Sequence, residues 1–181
     1  TSGKLLKHFE IGTHMHSHHM HNEHKTSENL IARLKAGETI ALISDAGTPL
    51  ISDPGYQLVA AAHAAGIQVV PIPGPCSLIA ALSAAGLPTD KFLFEGFLPA
   101  KDSARRKRLA ILKDFAHTMV FFEAPHRLAD LIQDAHDIFG PQRQATVIRE
   151  LTKKFETIIN WTFESLLAQV QSGMIIKGEC I

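Results

Sequence analysis

The sequence lacks the features that mark membrane-spanning, disulfide-rich and strongly basic proteins. It contains no apolar run of about 18 residues, the length that a spanning helix requires, so we expect a cytoplasmic protein with no membrane partner. Its two cysteines, Cys76 and Cys180, are isolated, which favours a reducing compartment over a disulfide scaffold. Because 18 basic residues balance 18 acidic ones, any contact with nucleic acid must be local.

Two common nucleotide-binding motifs are also missing. The chain has neither the GxGxxG pattern of dinucleotide-binding domains nor the GxxxxGK[ST] pattern of a P-loop. These absences argue against a nicotinamide or nucleoside triphosphate enzyme of those two classes. What remains is a chain of 181 residues with 45% apolar content, which is enough for a substantial core.

The first half of the chain alternates short apolar runs with helical patterns. TIALIS (39–44) and IQVVPIP (67–73) are continuous apolar runs, which are typical of buried parallel strands. YQLVAAAHAAG (56–66) and CSLIAALSAAG (76–86) have the spacing of helices and end in glycine. This order predicts an α/β lobe over residues 1–88.

The same alternation resumes after Leu87-Pro88. The predicted strands are 91–97, 118–124, 145–151, 156–162 and 174–181, and the predicted helices are 102–115, 126–139 and 163–173. They indicate a second α/β lobe over residues 89–181. A cleft between two such lobes is a favoured place for a small-molecule site.

The stretch SDAGTPLISDPG (44–55) carries two similar Ser-Asp motifs, and we interpret them differently. The first copy directly follows a predicted strand, where α/β proteins bind ligands, and Gly47 allows close approach of the backbone. The second copy precedes a helix, so Ser52 or Asp53 is predicted to be its N-cap. The alternative is that both copies only form turns and caps. A second glycine loop, PGPCS (73–77), follows the next predicted strand and could complete one pocket with the first.

A basic run, KDSARRKR (101–108), is the main charged feature. One interpretation is an ordinary solvated helix face, and the other is a phosphate-binding patch. The neutral total charge makes the concentration of five basic residues notable, and the residues that would form such a patch are Lys101, Arg105, Arg106 and Arg108.

A histidine-rich segment, THMHSHHMHNEH (13–24), raises the separate hypothesis of a metal-binding module. His14, His16 and His18 would share one face of an extended segment. Native sites usually draw their ligands from separate elements, however, so we expect no native metal site here.

Six motifs occur in the order in which one protein family carries them. They are SDAGTPLISDPG (44–55), VVPIPGPCSLIAALSAAGLP (69–88), FLFEGFLP (92–99), FFEAPHR (121–127), RELTKKFET (149–157) and KGE (177–179). Together they resemble the tetrapyrrole methylase-like S-adenosylmethionine-dependent methyltransferases, and within them the bacterial enzymes that 2′-O-methylate a cytidine of small-subunit (16S) ribosomal RNA. The resemblance runs from Thr1 to about Ile181.

This resemblance implies a non-Rossmann fold of two α/β lobes with S-adenosylmethionine bound between them. The implied cofactor contacts are Asp45, Ala46, Gly47, Thr48, Cys76, Ser77, Phe122, Glu123, Arg149 and Gly178. The family pattern starts with a strand and a glycine-rich loop that precede Thr1, so we expect the first lobe of these 181 residues to be incomplete.

The resemblance also implies methyl transfer to a ribose 2′-hydroxyl, which must lose its proton. Glu123, Glu150 and Lys153 are candidates for the catalytic group, with none assigned as the base. For Glu123 with Arg127, and for Arg149 with Glu150, the alternative is a structural ion pair.

The expected partners are small-subunit ribosomal RNA or the assembled 30S subunit, and a second copy of the chain, but not DNA. The alternative substrate within the same fold is a tetrapyrrole ring of the precorrin or uroporphyrinogen type.

Overall fold

The computed structural model describes residues 2–17, 23–173 and 177–181. The chain divides into two compact units, Thr1–Cys76 and Ser77–Ile181. The predicted lobes divide at residue 88 instead. Compactness alone does not decide to which functional lobe residues 77–88 belong, so the boundary at residue 88 stays a prediction.

The described residues of the first unit form the helices α1 (Ser2–His8), α2 (Glu23–Lys35) and α3 (Tyr56–Ala64). Helices α2 and α3 pack against each other, and their buried apolar residues include Leu30 and Leu58. The two helices therefore form the small core of this unit.

The strand predictions for residues 39–44 and 67–73 are wrong, because neither segment is part of a strand in the structure. Their apolar side chains stay largely in solvent, and Ile72 is 83% exposed. A pair of strands without further neighbours is marginal in water. The described part of the first unit supplies no additional strand against which these two could form a ladder.

The second unit contains the remaining elements in an alternating order. They are α4 (Ser77–Ala84), β1 (Phe92–Phe97), α5 (Asp102–Leu112), β2 (Thr118–Phe122), α6 (Leu128–Phe139), β3 (Gln144–Arg149), β4 (Thr157–Thr162) and α7 (Phe163–Gln171). A short 3-10 helix, Pro125–Arg127, precedes α6. Each of these helices and strands was predicted from the sequence, with ends that differ by a few residues.

The strands form two pairs that the C-terminal segment connects. β1 and β2 are parallel, whereas β3 and β4 are antiparallel. Between the two pairs, Cys180 forms antiparallel bridges with both Glu123 and Arg149. Ile148 and Ile181 exchange two backbone hydrogen bonds of 2.8 Å, which extends the link along β3. The predicted last strand over 174–181 is therefore present only as this short segment, and residues 174–176 lie outside the described residues.

Apolar side chains cover both faces of this sheet. One cluster contains Leu128, Ile132, Val147, Leu166 and Cys180. A second contains Ala81, Ala85 and Ile148, and a third contains Leu98, Leu109 and Leu131. Neighbouring residues of a strand point to opposite faces, which places Val147 in the first cluster and Ile148 in the second. Helices α6 and α7 thus pack on one side of β3 and helix α4 on the other.

We expect Leu109→Ala to lower the free energy of unfolding by about 2–5 kcal/mol, because it empties a site in the core. Leu109 is fully buried, whereas Ile111 on the same helix is 66% exposed. Urea unfolding of both alanine variants measures the difference, and Ile111→Ala should stay within about 0.5 kcal/mol of the wild type. Equal losses in the two variants would contradict the packing of α5 described above.

Candidate functional site

The structure joins the two Ser-Asp motifs of residues 44–55 to each other. The Ser44 hydroxyl donates to Asp53 Oδ2 at 2.6 Å. Helix α3 begins at Tyr56 with Gly55 in the N-cap position and no side-chain cap. The N-cap prediction for Ser52 or Asp53 is therefore wrong, because the Asp53 carboxylate binds the first motif instead of the helix.

The loop between the two motifs has an unusual backbone. Leu50 and Ser52 both have positive φ, at 71° and 61°, although neither is glycine. Gly55 has a φ of 131°, and a Cβ built there would lie 2.8 Å from a methyl carbon of Leu42. Only glycine fits at this position, since both its backbone angle and its surroundings exclude a side chain. Clustered backbone strain of this kind is common at functional sites.

Asp45 is the exposed acid of the first motif. Its Oδ1 accepts hydrogen bonds from the backbone N–H and the hydroxyl of Ser2, each at 2.8 Å. The bond from the Ser2 backbone N–H, followed by that from its hydroxyl, lowers the pKa of Asp45. Asp45 is therefore ionised at neutral pH, and its second oxygen can accept from a ligand hydroxyl or amine.

The two glycine loops of the first unit are in direct contact. Thr48 Oγ1 donates to the Pro75 carbonyl at 3.0 Å. Gly47 has a φ of 74°, and the space where its Cβ would stand is open. The structure thus brings Asp45–Thr48 of the first loop next to the loop that contains Cys76, as one pocket requires. Ser77, the last residue of the predicted set in this region, begins helix α4.

In the second unit, the C-terminal segment gathers three residues of the predicted cofactor set. Glu123 N donates to the Cys180 carbonyl at 3.0 Å, and Arg149 Nη1 donates to the Lys177 carbonyl at 3.3 Å. Gly178 lies between these two points of attachment. Phe122, the fourth member, is half-buried and makes edge contacts with Phe94 and Phe97 in β1.

The Glu123 carboxylate is buried with one oxygen bound and one unbound. Oε1 accepts from Ala124 N at 2.7 Å and from Arg127 Nε at 2.6 Å. Oε2 has no hydrogen-bond partner among the described residues and is shielded from solvent. An orphaned buried acceptor carries a free-energy cost, which a ligand hydroxyl or amine donor would remove. The expected ion pair with Arg127 is present, and it orients the carboxylate without satisfying it fully.

Glu150 and Lys153 are bound to each other and to the C-terminal segment. Lys153 Nζ lies 3.0 Å from Glu150 Oε1 and 2.9 Å from Glu179 Oε2, and Glu179 N donates to Glu150 Oε1. The Glu179 N–H, followed by Lys153, lowers the pKa of Glu150. The two carboxylates raise the pKa of Lys153, Glu179 foremost. Lys153 is therefore protonated at neutral pH and cannot accept a proton there.

Gly178 is required at its position by this same network. Its φ is 84°, and a Cβ would lie 2.2 Å from Glu150 Oε1. Such a contact is well inside van der Waals range. The implied role of Gly178 in cofactor binding thus coincides with a structural need for glycine.

Carboxylates pair with all three arginines of the basic run, so the run is not a free cationic patch. Arg105 is only 4% exposed, and its guanidinium binds Asp134 at 2.6 Å and Asp102 at 3.1 Å. Arg106 forms ion pairs with Asp134 and with Asp137. These pairs connect α5 to α6, so Arg105 acts as an internal brace in this structure.

Arg108 is held by a carboxylate on β1. Its Nε and Nη2 bind the two oxygens of Glu95 at 2.8 and 2.6 Å. The register of β1 against β2 shifts between Phe94 and Gly96, which places Glu95 in the irregular position. Lys101 and Lys107 remain exposed. The cationic surface of α5 therefore consists of these two lysines with the partly exposed Arg106 and Arg108.

A mainly apolar cavity of about 330 Å³ lies within the second unit. Its walls include residues 118–121 of β2 and 144–148 of β3, together with apolar side chains of α4 and α6. Cys180 pairs with Glu123, directly after β2, and with Arg149 in β3, and Ile181 pairs with Ile148 in β3. Because its walls are the strands and helices of the three apolar clusters, we assign no ligand to this cavity.

The histidine-rich segment is described only in part. The His14 and His16 rings meet edge to face with centroids 4.7 Å apart, and His16 Nε2 lies 3.1 Å from an Arg33 nitrogen. His18 lies outside the described residues. Within residues 2–17, 23–173 and 177–181, no three His, Cys, Asp or Glu side chains are grouped to hold a metal ion. No helix in these ranges is both long and apolar enough to cross a membrane.

Comparison with known proteins places this geometry in a family. Residues 4–167 match the family described as Tetrapyrrole (Corrin/Porphyrin) Methylases. The chain belongs to the tetrapyrrole methylase family. The family assignment made from the motifs is thereby confirmed.

Curated relatives are about 50% identical to this tetrapyrrole methylase over the aligned residues. The protein "Ribosomal RNA small subunit methyltransferase I" of Pseudomonas aeruginosa is 52% identical over 98% of this chain and 64% of its own length. The proteins of the same name from Vibrio cholerae and Xylella fastidiosa are 50% and 55% identical, over 63% and 61% of their own lengths. The chain thus spans less than two thirds of the length of these relatives.

Solved structures confirm the predicted fold class. The methyltransferase CobJ matches with a TM-score of 0.57 at 19% identity, over 76% of this chain and 62% of its own. A uroporphyrin-III C-methyl transferase from Thermus thermophilus, solved in complex with S-adenyl homocysteine, matches with a TM-score of 0.52 at 16% identity, over 88% and 71%. At such identities the likeness concerns the fold alone.

Sequence reasoning missed the acids that neutralise the basic run. Asp134 and Asp137 are three residues apart on α6, and Glu95 is the single acid in the apolar run FLFEGF. An acid in such a setting signals a nearby cation, but the sequence does not say which one. It also missed Ser2 as the partner of Asp45, because the two residues are 43 positions apart.

We expect Asp134→Ala to lower the free energy of unfolding by about 3–5 kcal/mol, since it leaves the buried Arg105 without its carboxylate. Chemical denaturation measures this loss. Asp137→Ala is the matched control, because Asp137 also pairs with Arg106 but is exposed, and it should have a much smaller effect. If the two variants were equally stable, the internal brace would not exist as described.

We expect Lys153→Met to raise the pKa of Glu150 part of the way to its ordinary value, because the Glu179 N–H remains bound. A lowered pKa in the folded state stabilises the protein above the unfolded pKa of about 4.3, and this contribution is lost as the pH falls through the folded pKa. The variant should therefore lose less stability on acidification than the wild type.

Carboxyl NMR titration measures the Glu150 pKa directly. Lys154→Met is the control, because the Lys154 ammonium lies over the Phe155 ring, 5.6 Å from its centroid. A larger shift in Lys154→Met than in Lys153→Met would disprove the assigned ion pair.

Proposed function

We propose that this protein is an S-adenosylmethionine-dependent methyltransferase that 2′-O-methylates a cytidine ribose of small-subunit ribosomal RNA. The observation that carries the proposal is the identity of about half to relatives named ribosomal RNA small subunit methyltransferase I, over nearly the whole of this chain. The neighbours with tetrapyrrole substrates in their names are only 16–22% identical. The alternative of a tetrapyrrole methyltransferase is therefore less well supported.

The cofactor assignment follows from the family and from the chemistry of the residues. S-adenosylmethionine carries hydroxyl and amine donors, and each unit, taken by itself, contains an acceptor of the kind that binds them. In the first unit, Asp45 is ionised and exposed next to the open space above Gly47. In the second unit, Glu123 Oε2 is buried and lacks a donor among the described residues. When bound, the cofactor supplies a methyl group activated by its positively charged sulfur.

The protein's own contribution to the reaction is binding and alignment. A ribose hydroxyl becomes nucleophilic as it loses its proton, and alignment of two reactants can be worth effective molarities of about 10⁵ M or more. Lys153 Nζ is an unsuitable base because it is protonated between two carboxylates. Glu150 is ionised, but Oε1 already accepts from Lys153 and from Glu179 N. We therefore assign these two residues to holding the RELTK loop, and Glu123 to the cofactor.

The proposed RNA surface is the outer face of α5. Arg105 is withdrawn from it by Asp134, so the contacts would come from Lys101, Arg106 and Arg108, with Lys107 added. In the free protein, Arg106 and Arg108 form ion pairs with carboxylates, which makes them weaker ligands for phosphate. A neutral chain with so small a cationic surface suits a structured substrate, such as the 30S subunit, better than a free strand. A ribosomal substrate implies a cytoplasmic enzyme, and a homodimer would enlarge its RNA-facing surface.

The decisive experiment uses the full-length enzyme, labelled S-adenosylmethionine and small subunits from a strain that lacks the enzyme. We expect the label on a ribose 2′-oxygen of a cytidine in the RNA. Label on a base, on a protein or on an added tetrapyrrole would overturn the proposed function while leaving the fold unaffected.

Cofactor binding and RNA binding should respond to different substitutions. Asp45→Ala should weaken S-adenosylmethionine binding, measured by calorimetry, and leave affinity for the subunit nearly unchanged. Lys101→Ala with Lys107→Ala should do the reverse, and the salt dependence of subunit binding should fall by roughly one unit for each phosphate that the variant no longer binds. Asp90→Ala, which removes an exposed acid elsewhere, is the control for Asp45→Ala. Equal effects on both ligands would contradict two separate surfaces.

A further inference from the structure

The loop that joins β3 to β4 has a strained but well-bound backbone. Glu150 and Thr152 have φ values of 52° and 63°, in the left-handed region that residues other than glycine rarely adopt. Lys153 N donates to the Glu150 carbonyl at 2.9 Å, and Glu156 N to the Lys153 carbonyl at 3.1 Å. Thr152 N is bound by Glu156 Oε2 at 2.6 Å. Backbone strain that is held by several contacts is common at functional sites, so this loop is a candidate for one.

This well-bound loop presents an aromatic ring to solvent. Phe155 is 65% exposed, although the backbone on either side of it is fixed. Its neighbour Lys154 places its ammonium over the ring, 5.6 Å from the centroid. A single exposed apolar residue needs no explanation by itself. Here, however, a strained loop holds the ring in one place and a cation lies beside it. This arrangement suits stacking of the Phe155 ring on another flat ring.

The charges of the loop favour a nucleobase over an apolar protein surface. Glu150, Glu156 and Glu179 each accept hydrogen bonds from within this region. Lys153 is neutralised by two of them, whereas no carboxylate among the described residues pairs with Lys154. The loop thus directs one aromatic face and one cation outward, the combination with which proteins hold unpaired nucleotides.

We propose that Phe155 stacks on an unpaired base of the RNA substrate while Lys154 contacts an adjoining phosphate. The proposal rests on the proposed function, since it requires an RNA substrate, and it adds a positioning residue on a different element from the cationic face of α5. Stacking is tolerant of base identity because every base has a flat π-face. Phe155 therefore holds a nucleotide in place and does not select its sequence.

The test compares Phe155→Ala, Phe155→Trp and Phe155→Leu in the full-length enzyme, with small subunits from the deficient strain as the probe. We expect Phe155→Ala to weaken subunit binding and raise KM for the subunit by about 5- to 100-fold, with kcat and cofactor affinity nearly unchanged. Phe155→Trp should stay within about twofold of the wild type, since a larger ring also stacks. Phe155→Leu should resemble the alanine variant, because it retains apolar area without a π-face.

Two controls separate stacking from other causes. Phe9→Ala removes a ring of similar exposure, 63%, in the first unit and should leave subunit binding unchanged. Lys154→Met should lower the salt dependence of binding by about one unit, whereas Phe155→Ala should not change it.

The proposal is overturned if Phe155→Ala behaves like Phe9→Ala, or if Phe155→Leu restores binding as well as Phe155→Trp, which would indicate an apolar protein contact. It is also overturned if Phe155→Ala lowers the melting temperature by several degrees, because the ring would then be packed within the protein. If the wild-type enzyme neither binds subunits nor labels their RNA, the proposed function fails and this inference fails with it. Labelling by the wild type with an unaffected Phe155→Ala overturns the inference alone.

Discussion

The pairing of Cys180 with both Glu123 and Arg149 is the constraint on which the second unit depends. Without these bridges, β1–β2 and β3–β4 would be two separate pairs of strands, and isolated pairs are marginal in water. The short C-terminal segment supplies backbone partners to both pairs. It also brings Gly178 and Glu179 onto the Glu150 carboxylate. Glu123 and Arg149, which connect the two pairs of strands through Cys180, therefore also belong to the predicted cofactor contacts of this unit.

Ion pairing with a buried carboxylate divides the basic residues of α5 into two groups. A buried guanidinium is tolerated only with a carboxylate close by, and Arg105 has Asp134 on the neighbouring helix. The same aspartate also receives Arg106, so two of the five basic residues in the run connect α5 to α6. The partly exposed Arg106 also reaches the outer face, where it lies with Arg108 and the two lysines and is screened by water. A run that is continuous in sequence is thus divided in space into an internal brace and an external surface.

The two loops with strained backbones lie in motifs by which the family was identified. Leu50 and Ser52 in the first unit, and Glu150 and Thr152 in the second, have left-handed backbones without being glycine. All four lie inside the motifs SDAGTPLISDPG and RELTKKFET, by which the family was identified. Strain costs free energy and persists where surrounding contacts hold it, here through Ser44 with Asp53 and through Lys153 with Glu150. These two motifs of the tetrapyrrole methylase thus contain four of the five non-glycine residues that have a positive φ among the described residues, the fifth being Glu10.

The sequence by itself determined the family and the alternation of helices and strands in the second unit. Those features depend on local periodicity, on glycine positions and on motif order, all of which are readable along the chain. The tertiary structure alone decided which charges are available. Arg105 and Lys101 are equally basic in the sequence, but only folding places Asp134 against one and leaves the other in water. It likewise decided that residues 39–44 and 67–73 form no ladder, since a strand exists only through its neighbours. Local patterns indicate which secondary structure a segment favours, whereas contacts with residues distant in sequence decide whether a strand forms and whether a charge is neutralised.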